Sequence, residues 1–265
     1  MDATSSSLAS VPAGPPKPAA TMVGEWHRYG RFLRRPTLPV KATGITSGAI
    51  AALLRIFALD IAVMAVLIAV ALAAIGVGIE FPTNTLENIE WNAAWIALVV
   101  LVAPFYEELF FRSWLSGKWP ALVAAIVSIV GFAIAAMFVA PSSPFAGGAG
   151  PIIAAVVVIV TIVSAVWIGL KSRHTAPFGW FAKAFPLFFY LASAGFAVVH
   201  FFNYDDALPL WQVLPLVIPQ FIAGTMFGYL RVQYGFWAAV AMHVLHNGTA
   251  LGTALLMESL FPGVA

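Results

Sequence analysis

Three short stretches of this chain carry side chains that can move protons, and each is set in apolar sequence. They are Glu107-Glu108-Leu109-Phe110-Phe111-Arg112, Phe196-Ala197-Val198-Val199-His200 and His243-Val244-Leu245-His246-Asn247. A charged group at the centre of a membrane-spanning helix costs at least ~2.5 kcal/mol on insertion scales, so each such group needs a use. Helix geometry sorts them. Glu108 and Arg112, four residues apart, lie about 40° from one another and can pair, a reading in which they anchor their helix. Glu107 points about 100° away from Glu108, which leaves it free for chemistry. His243 and Asn247 share a face, and His246 lies close to them. Taken singly, His200 and Asn247 read equally well as interhelical hydrogen bonders and Phe196 as packing. A glutamate, a histidine and a His/Asn pair from three helices instead make a convergent polar pocket, the way helical bundles build their sites.

The elements that must position these groups follow from composition. The 265 residues are 62% hydrophobic and 9% charged, with a mean hydropathy of +0.94. A water-soluble domain carries roughly 25% charged residues, so most of this surface faces lipid. Seven apolar stretches (within a range of six to eight) are long enough to span. They run over Ile61–Ile79, Ala93–Ser116, Ala121–Ala140, Ile152–Leu170, Phe185–Phe202, Val213–Leu230 and Phe236–Met257, with a short helix holding Arg55 and Asp60 ahead of the first. The expected fold is all-α: a polytopic transmembrane bundle with its polar pocket between helices.

Basic residues precede the first span and follow spans two, four and six (Lys118; Lys171, Arg173 and Lys183; Arg231), whereas the other loops hold acids such as Glu80, Glu87, Glu90, Asp205 and Asp206 or no charge. By the positive-inside rule the amino terminus is cytoplasmic and the carboxyl terminus outside, in a multi-pass protein of the plasma membrane. Residues 1–45, rich in Ser, Ala, Gly and Pro and then in Arg, are expected to form a disordered basic cytoplasmic segment, with residues 46–265 as the membrane domain. The partners expected are the bilayer and a membrane-associated protein or peptide, not nucleic acid. With no cysteine, disulfides, thiolate zinc sites and cysteine nucleophiles are ruled out.

The ordered set Glu-Glu-x-x-x-Arg, Phe-x-x-x-His and His-x-x-x-Asn, complete here as Glu107–Arg112, Phe196–His200 and His243–Asn247, resembles the signature of the CPBP family of intramembrane proteases. That family includes type II CAAX prenyl endopeptidases and bacteriocin-immunity-type proteins. The resemblance covers about Ala93 to Ala250. It implies peptide-bond hydrolysis in which Glu107 and His200 activate a water while His243 and Asn247 stabilise the oxyanion, with Glu108, Arg112 and Phe196 in support. His246 is read as a supporting residue that either caps the pocket or bonds a neighbouring carbonyl. No serine stands beside a histidine as a nucleophile would, which agrees with water in that role.

Glu107, His200 and His243 also compose a His2Glu set, the ligand type of a catalytic zinc. The chain lacks the His-Glu-x-x-His zinc helix, so metal-free glutamate catalysis is preferred. Two readings from other classes use the same groups: a proton-coupled transporter component and a non-catalytic scaffold or immunity protein. Neither the substrate nor the oligomeric state is written in the residues. Counting residues along upright helices places His200 roughly 10 Å from the level of His243, a gap the fold must close.

Overall fold

A computed structural model of the chain describes residues 15–82, 84, 89–140, 143–171, 175–204 and 214–260. Glu87, Arg173, Asp205 and Asp206, which carry part of the loop-charge reading, lie outside the described residues, as does the disorder expected for residues 1–14. Among the described residues, eight helices make up the fold: α1 (Met22–Arg34), α2 (Ser47–Gly76), α3 (Ala93–Ser116), α4 (Trp119–Met137), α5 (Gly150–Lys171), α6 (Gly179–Val199), α7 (Ile218–Tyr234) and α8 (Phe236–Leu260).

Local sequence sets their ends. Thr21 and Thr46 accept the Gly24 and Ala49 amides at 3.1 Å each and so cap α1 and α2. Asn92 caps α3 by accepting from Ala94 and Trp95 at 3.0 and 3.1 Å. After α3, Gly117 reverses the chain at φ 64°. A Cβ there would lie 2.5 Å from the Phe181 ring, so only glycine fits both the turn and the neighbour.

Among the described residues, five helices, α2 to α6, are long and apolar enough to cross a membrane. The chain is an integral membrane protein built as a polytopic helical bundle. Val66, Val70, Leu72 and Ile75 on α2, with Ile152, Val156, Ile159 and Val163 on α5, are exposed, a surface that suits hydrocarbon and not water. The helices read as spans six and seven are not in that set. The 17 residues of α7 are few for a span, and α8 carries His243, His246 and Asn247. Buried by its neighbours from Ala223 to Leu230, α7 is the centre of the fold. The α6 stripe Phe181, Phe185, Phe189, Ala192 and Phe196, at spacings of three and four, packs with it in the main core.

Three boundaries differ from the sequence reading. Arg55 and Asp60 do not sit in a separate short helix. They are part of α2, which continues for 30 residues because no proline or interior glycine interrupts it and both charges find partners. The Arg55 guanidinium donates to the Ala19 and Ala20 carbonyls. The helix of span five begins at Gly179, six residues before Phe185, and tolerates Pro186 inside it.

The third difference is α1. Residues 22–34, assigned from composition to a disordered segment, form a helix docked on α2 and α7. Its Glu25 is fully buried. That carboxylate accepts from the Tyr229 hydroxyl at 2.5 Å, from the Tyr234 hydroxyl and from the Ala19 amide at 2.8 Å. Tyr29 bonds Thr225 at 2.6 Å, and burial pushes its phenol above the ordinary range. Trp26, Tyr29, Phe32 and Leu33, all in or against the core, recur at helical spacing, and this apolar face outweighs the basic composition.

Helices α4 and α5 are in tight contact at Gly131, where a Cβ would lie 2.0 Å from Thr161 Oγ1. Gly131→Leu is expected to destabilise the pair by about 1–3 kcal/mol, read as a lowered thermal midpoint in detergent, whereas leucine at the open Gly169 should change little.

Candidate active site

Glu108 and Arg112, one turn apart on α3, form an ion pair with both side chains fully buried. The Arg112 guanidinium lies over the rings of Phe196 (4.3 Å) and Phe227 (5.2 Å), so α6 and α7 supply π faces to the charge. On α7, Gly224 makes room: a Cβ there would lie 3.3 Å from Arg112 Nη2 and 3.3 Å from Phe196. Arg231 of α7 ties down the end of α3, donating to the Arg112 and Ser113 carbonyls at 3.0 and 2.8 Å.

His243 of α8 is set against this pair. Its Nδ1 lies 3.0 Å from Glu108 Oε1, its ring stacks on Phe227 at 4.5 Å, and its Nε2 lies 3.4 Å from Glu107 Oε2. The two adjacent glutamates therefore differ as their helical angles require. The Glu108 side chain is sealed at 0%, while that of Glu107 is 29% exposed and borders a cavity of about 1130 Å3.

The same cavity is lined by Phe196, His200, His243, His246 and Asn247. His200 opens the 3-10 turn that ends α6, and its Nδ1 lies 2.7 Å from the Phe196 carbonyl. A carbonyl only accepts, so Nδ1 carries the hydrogen and Nε2 keeps its lone pair. The depth gap does not separate the two histidines. Both rings contact Phe196, at 4.7 and 5.5 Å between centroids. Counting along upright helices treats them as starting from one plane, which helices of such unequal starts do not.

Asn247 donates from Nδ2 to the Val99 carbonyl at 3.0 Å. That carbonyl belongs to a π-helical segment of α3, Leu98–Val102, and wider turns of this kind commonly occur at functional sites. His246 bonds through Nδ1 to Asp60 of α2 at 2.8 Å. Sequence reasoning left His246 between two roles and missed its partner. The signal was present, since an aspartate in a long apolar helix calls for a buried partner.

The donors that could compose a zinc site line one cavity without closing on a common point. Glu107 and His243 approach to 3.4 Å, while His200 turns its Nδ1 to the Phe196 carbonyl. Among the described residues, no three His, Asp or Glu side chains converge as metal ligands. The Glu107, His200 and His243 set therefore does not fit the ion.

The family model for the type II CAAX prenyl endopeptidase Rce1-like family matches residues 89–177 and 165–249, together more than half of the chain. The chain belongs to this family. No curated protein and no solved structure matches it. The matched region of this CAAX endopeptidase relative opens just before α3 and closes after Asn247, so it takes in all three motifs. Helix α1 and Asp60 lie outside it. Membership makes the chain a member of a membrane protease family.

Removing Arg112 strands Glu108 in the core. Arg112→Ala is expected to cost about 3–5 kcal/mol, and Arg112→Lys to restore little because an ammonium cannot lie flat on two rings. Combining Arg112→Met with Glu108→Gln should recover much of the loss. The midpoint and monodispersity of the detergent-solubilised protein measure all three.

Proposed function

We propose that the chain is an intramembrane endopeptidase that hydrolyses a peptide bond of a membrane-associated protein or peptide, with a prenylated CAAX-like sequence as the first substrate to test. The observation that carries this is the meeting of Glu107, His200, His243 and Asn247, from three separate helices, around one cavity. Amide hydrolysis needs a base for the nucleophile and donors for the oxyanion. A water between the Glu107 carboxylate and His200 Nε2 gives a hydrogen to each acceptor, which aims its lone pair at a carbonyl carbon.

Glu107 takes the water proton as the carbon–oxygen bond forms. Its neighbour at 3.4 Å, His243 Nε2, receives that proton and turns it toward the oxyanion. Asn247 has one Nδ2 hydrogen committed to Val99 and a second left for the same oxygen. Glu108 holds the His243 ring in place, and Arg112 balances the Glu108 charge. No step runs through a metal, because the donors do not assemble around one. Placement of the amino terminus in the cytoplasm and of the protein in the plasma membrane belongs to the same proposal.

Glu107→Gln keeps the shape and removes the base. It is expected to lower kcat on a fluorogenic prenylated peptide roughly 100- to 10,000-fold with an unchanged melting midpoint. Full activity in this variant would remove Glu107 as the base, and a parent protein that cleaves nothing would return the scaffold reading. In cells, substrates should accumulate uncleaved in the membrane proteome of the Glu107→Ala strain.

Metal dependence is checked separately. Activity of the purified protein should persist after chelation, with zinc far below one equivalent. Activity that vanishes with EDTA and returns with zinc overturns the metal-free mechanism.

A further inference from the structure

Hydrolysis by Glu107, His200, His243 and Asn247 leaves a second carboxylate–imidazole pair on the same cavity without a part. Asp60 is fully buried in α2, with Oδ2 2.8 Å from His246 Nδ1. Its Oδ1 has no hydrogen-bond partner among the described residues. The one hydrogen bond of Asp60 among the described residues holds one imidazole. The His246 side chain is 19% exposed, lines the cavity and is braced edge-on by Phe227 at 5.6 Å.

Hydrolysis also has a second proton requirement that the first set leaves unmet. An amine is a poor leaving group unless its nitrogen is protonated as the bond to carbon breaks. Of the other titratable groups that line the cavity, Glu90 and Glu258 are exposed, Glu107 and His243 flank the attacking side, and His200 has Nδ1 on a carbonyl with Nε2 open as an acceptor. His246 has a carboxylate behind Nδ1, the arrangement that orients an imidazole and stabilises its doubly protonated form.

We infer that His246 is the proton donor to the leaving amine and that Asp60 is its positioning residue, an inference that rests on the endopeptidase reading. As the tetrahedral intermediate collapses, the carbon–nitrogen bond breaks, its electron pair goes to nitrogen, and nitrogen takes the proton from His246 Nε2. The proton that left the attacking water then returns through the cavity to His246. In sum, the hydroxyl of one water ends on the acyl carbon and its hydrogen on the amine. Asp60 lies before the segment that matches the family, so this part of the site comes from outside it.

Two substrates with the same acyl part test the assignment: a peptide amide, which needs the leaving-group proton, and a p-nitrophenyl ester, which does not. His246→Gln is expected to lower kcat on the amide about 100-fold while leaving ester cleavage within about threefold of the parent. Asp60→Asn should give the same amide-selective loss, because an asparagine amide facing Nδ1 imposes the wrong tautomer. Asp60→Glu tests restoration of the carboxylate, and added imidazole should partly restore His246→Ala. Equal loss on amide and ester with a retained melting midpoint, or no loss at all, overturns the proton-donor role. Glu107→Gln is the control that separates the two readings and should abolish both reactions. A parent protein that cleaves neither substrate removes the endopeptidase reading and this inference with it.

Discussion

A guanidinium and a carboxylate enclosed away from both water and lipid oblige their surroundings to supply every remaining partner, and Glu108 with Arg112 sets that condition here. Arg112 Nε and Nη2 have no hydrogen-bond partner among the described residues, so the faces of Phe196 and Phe227 take that side of the charge. Glu108 spends one oxygen on both Arg112 and His243. The site histidine is thus fixed by the pair that anchors α3. Removing one member of a buried pair leaves the other uncompensated, which makes the support for the site as sensitive as the site itself.

Helix α7 shows how a membrane protein hides polarity. Its Thr225 and Gln233 are buried, as are the tyrosines that bind Glu25. Its surroundings are the other helices, not lipid, so low overall hydropathy carries no penalty there. The hydroxyl groups of Ser128 and Ser193 in α4 and α6 solve the same problem locally, donating one turn back to the Ala124 and Phe189 carbonyls at 2.8 and 3.0 Å.

The polar lining of the cavity was readable where it broke a pattern. Glu107, His200, His243 and Asn247 stood out as polar groups in apolar helices, and the 100° step from Glu107 to Glu108 foretold that one would open to the cavity and the other would not. What stayed hidden depended on pairing across the chain. Asp60 and His246 are 186 positions apart, and nothing local links them. Asn247 bonds a backbone carbonyl, which no side-chain pattern encodes. The uniform run Leu98-Val99-Val100-Leu101-Val102 gives no sign of its wider turn. Helix α1 is a different case: its spacing of Trp26, Tyr29 and Phe32 was legible, but arginine-rich composition drew the reading toward disorder.

The π segment of α3 has a consequence for register. A π turn holds about one residue more than an α turn, so the half of α3 that begins at Asn92 and the half that bears Glu107 are offset by about 100° from an unbroken helix. The azimuth of Glu107 is therefore set by a single surplus residue within Leu98–Val102 and not by its own neighbours. Loss of one residue there would rewind α3 into a continuous α-helix and leave every side chain in place along the sequence. It would also turn Glu107 out of alignment with the cavity. In this fold, an indel of one residue in a featureless valine–leucine run carries as much meaning as a substitution of the glutamate.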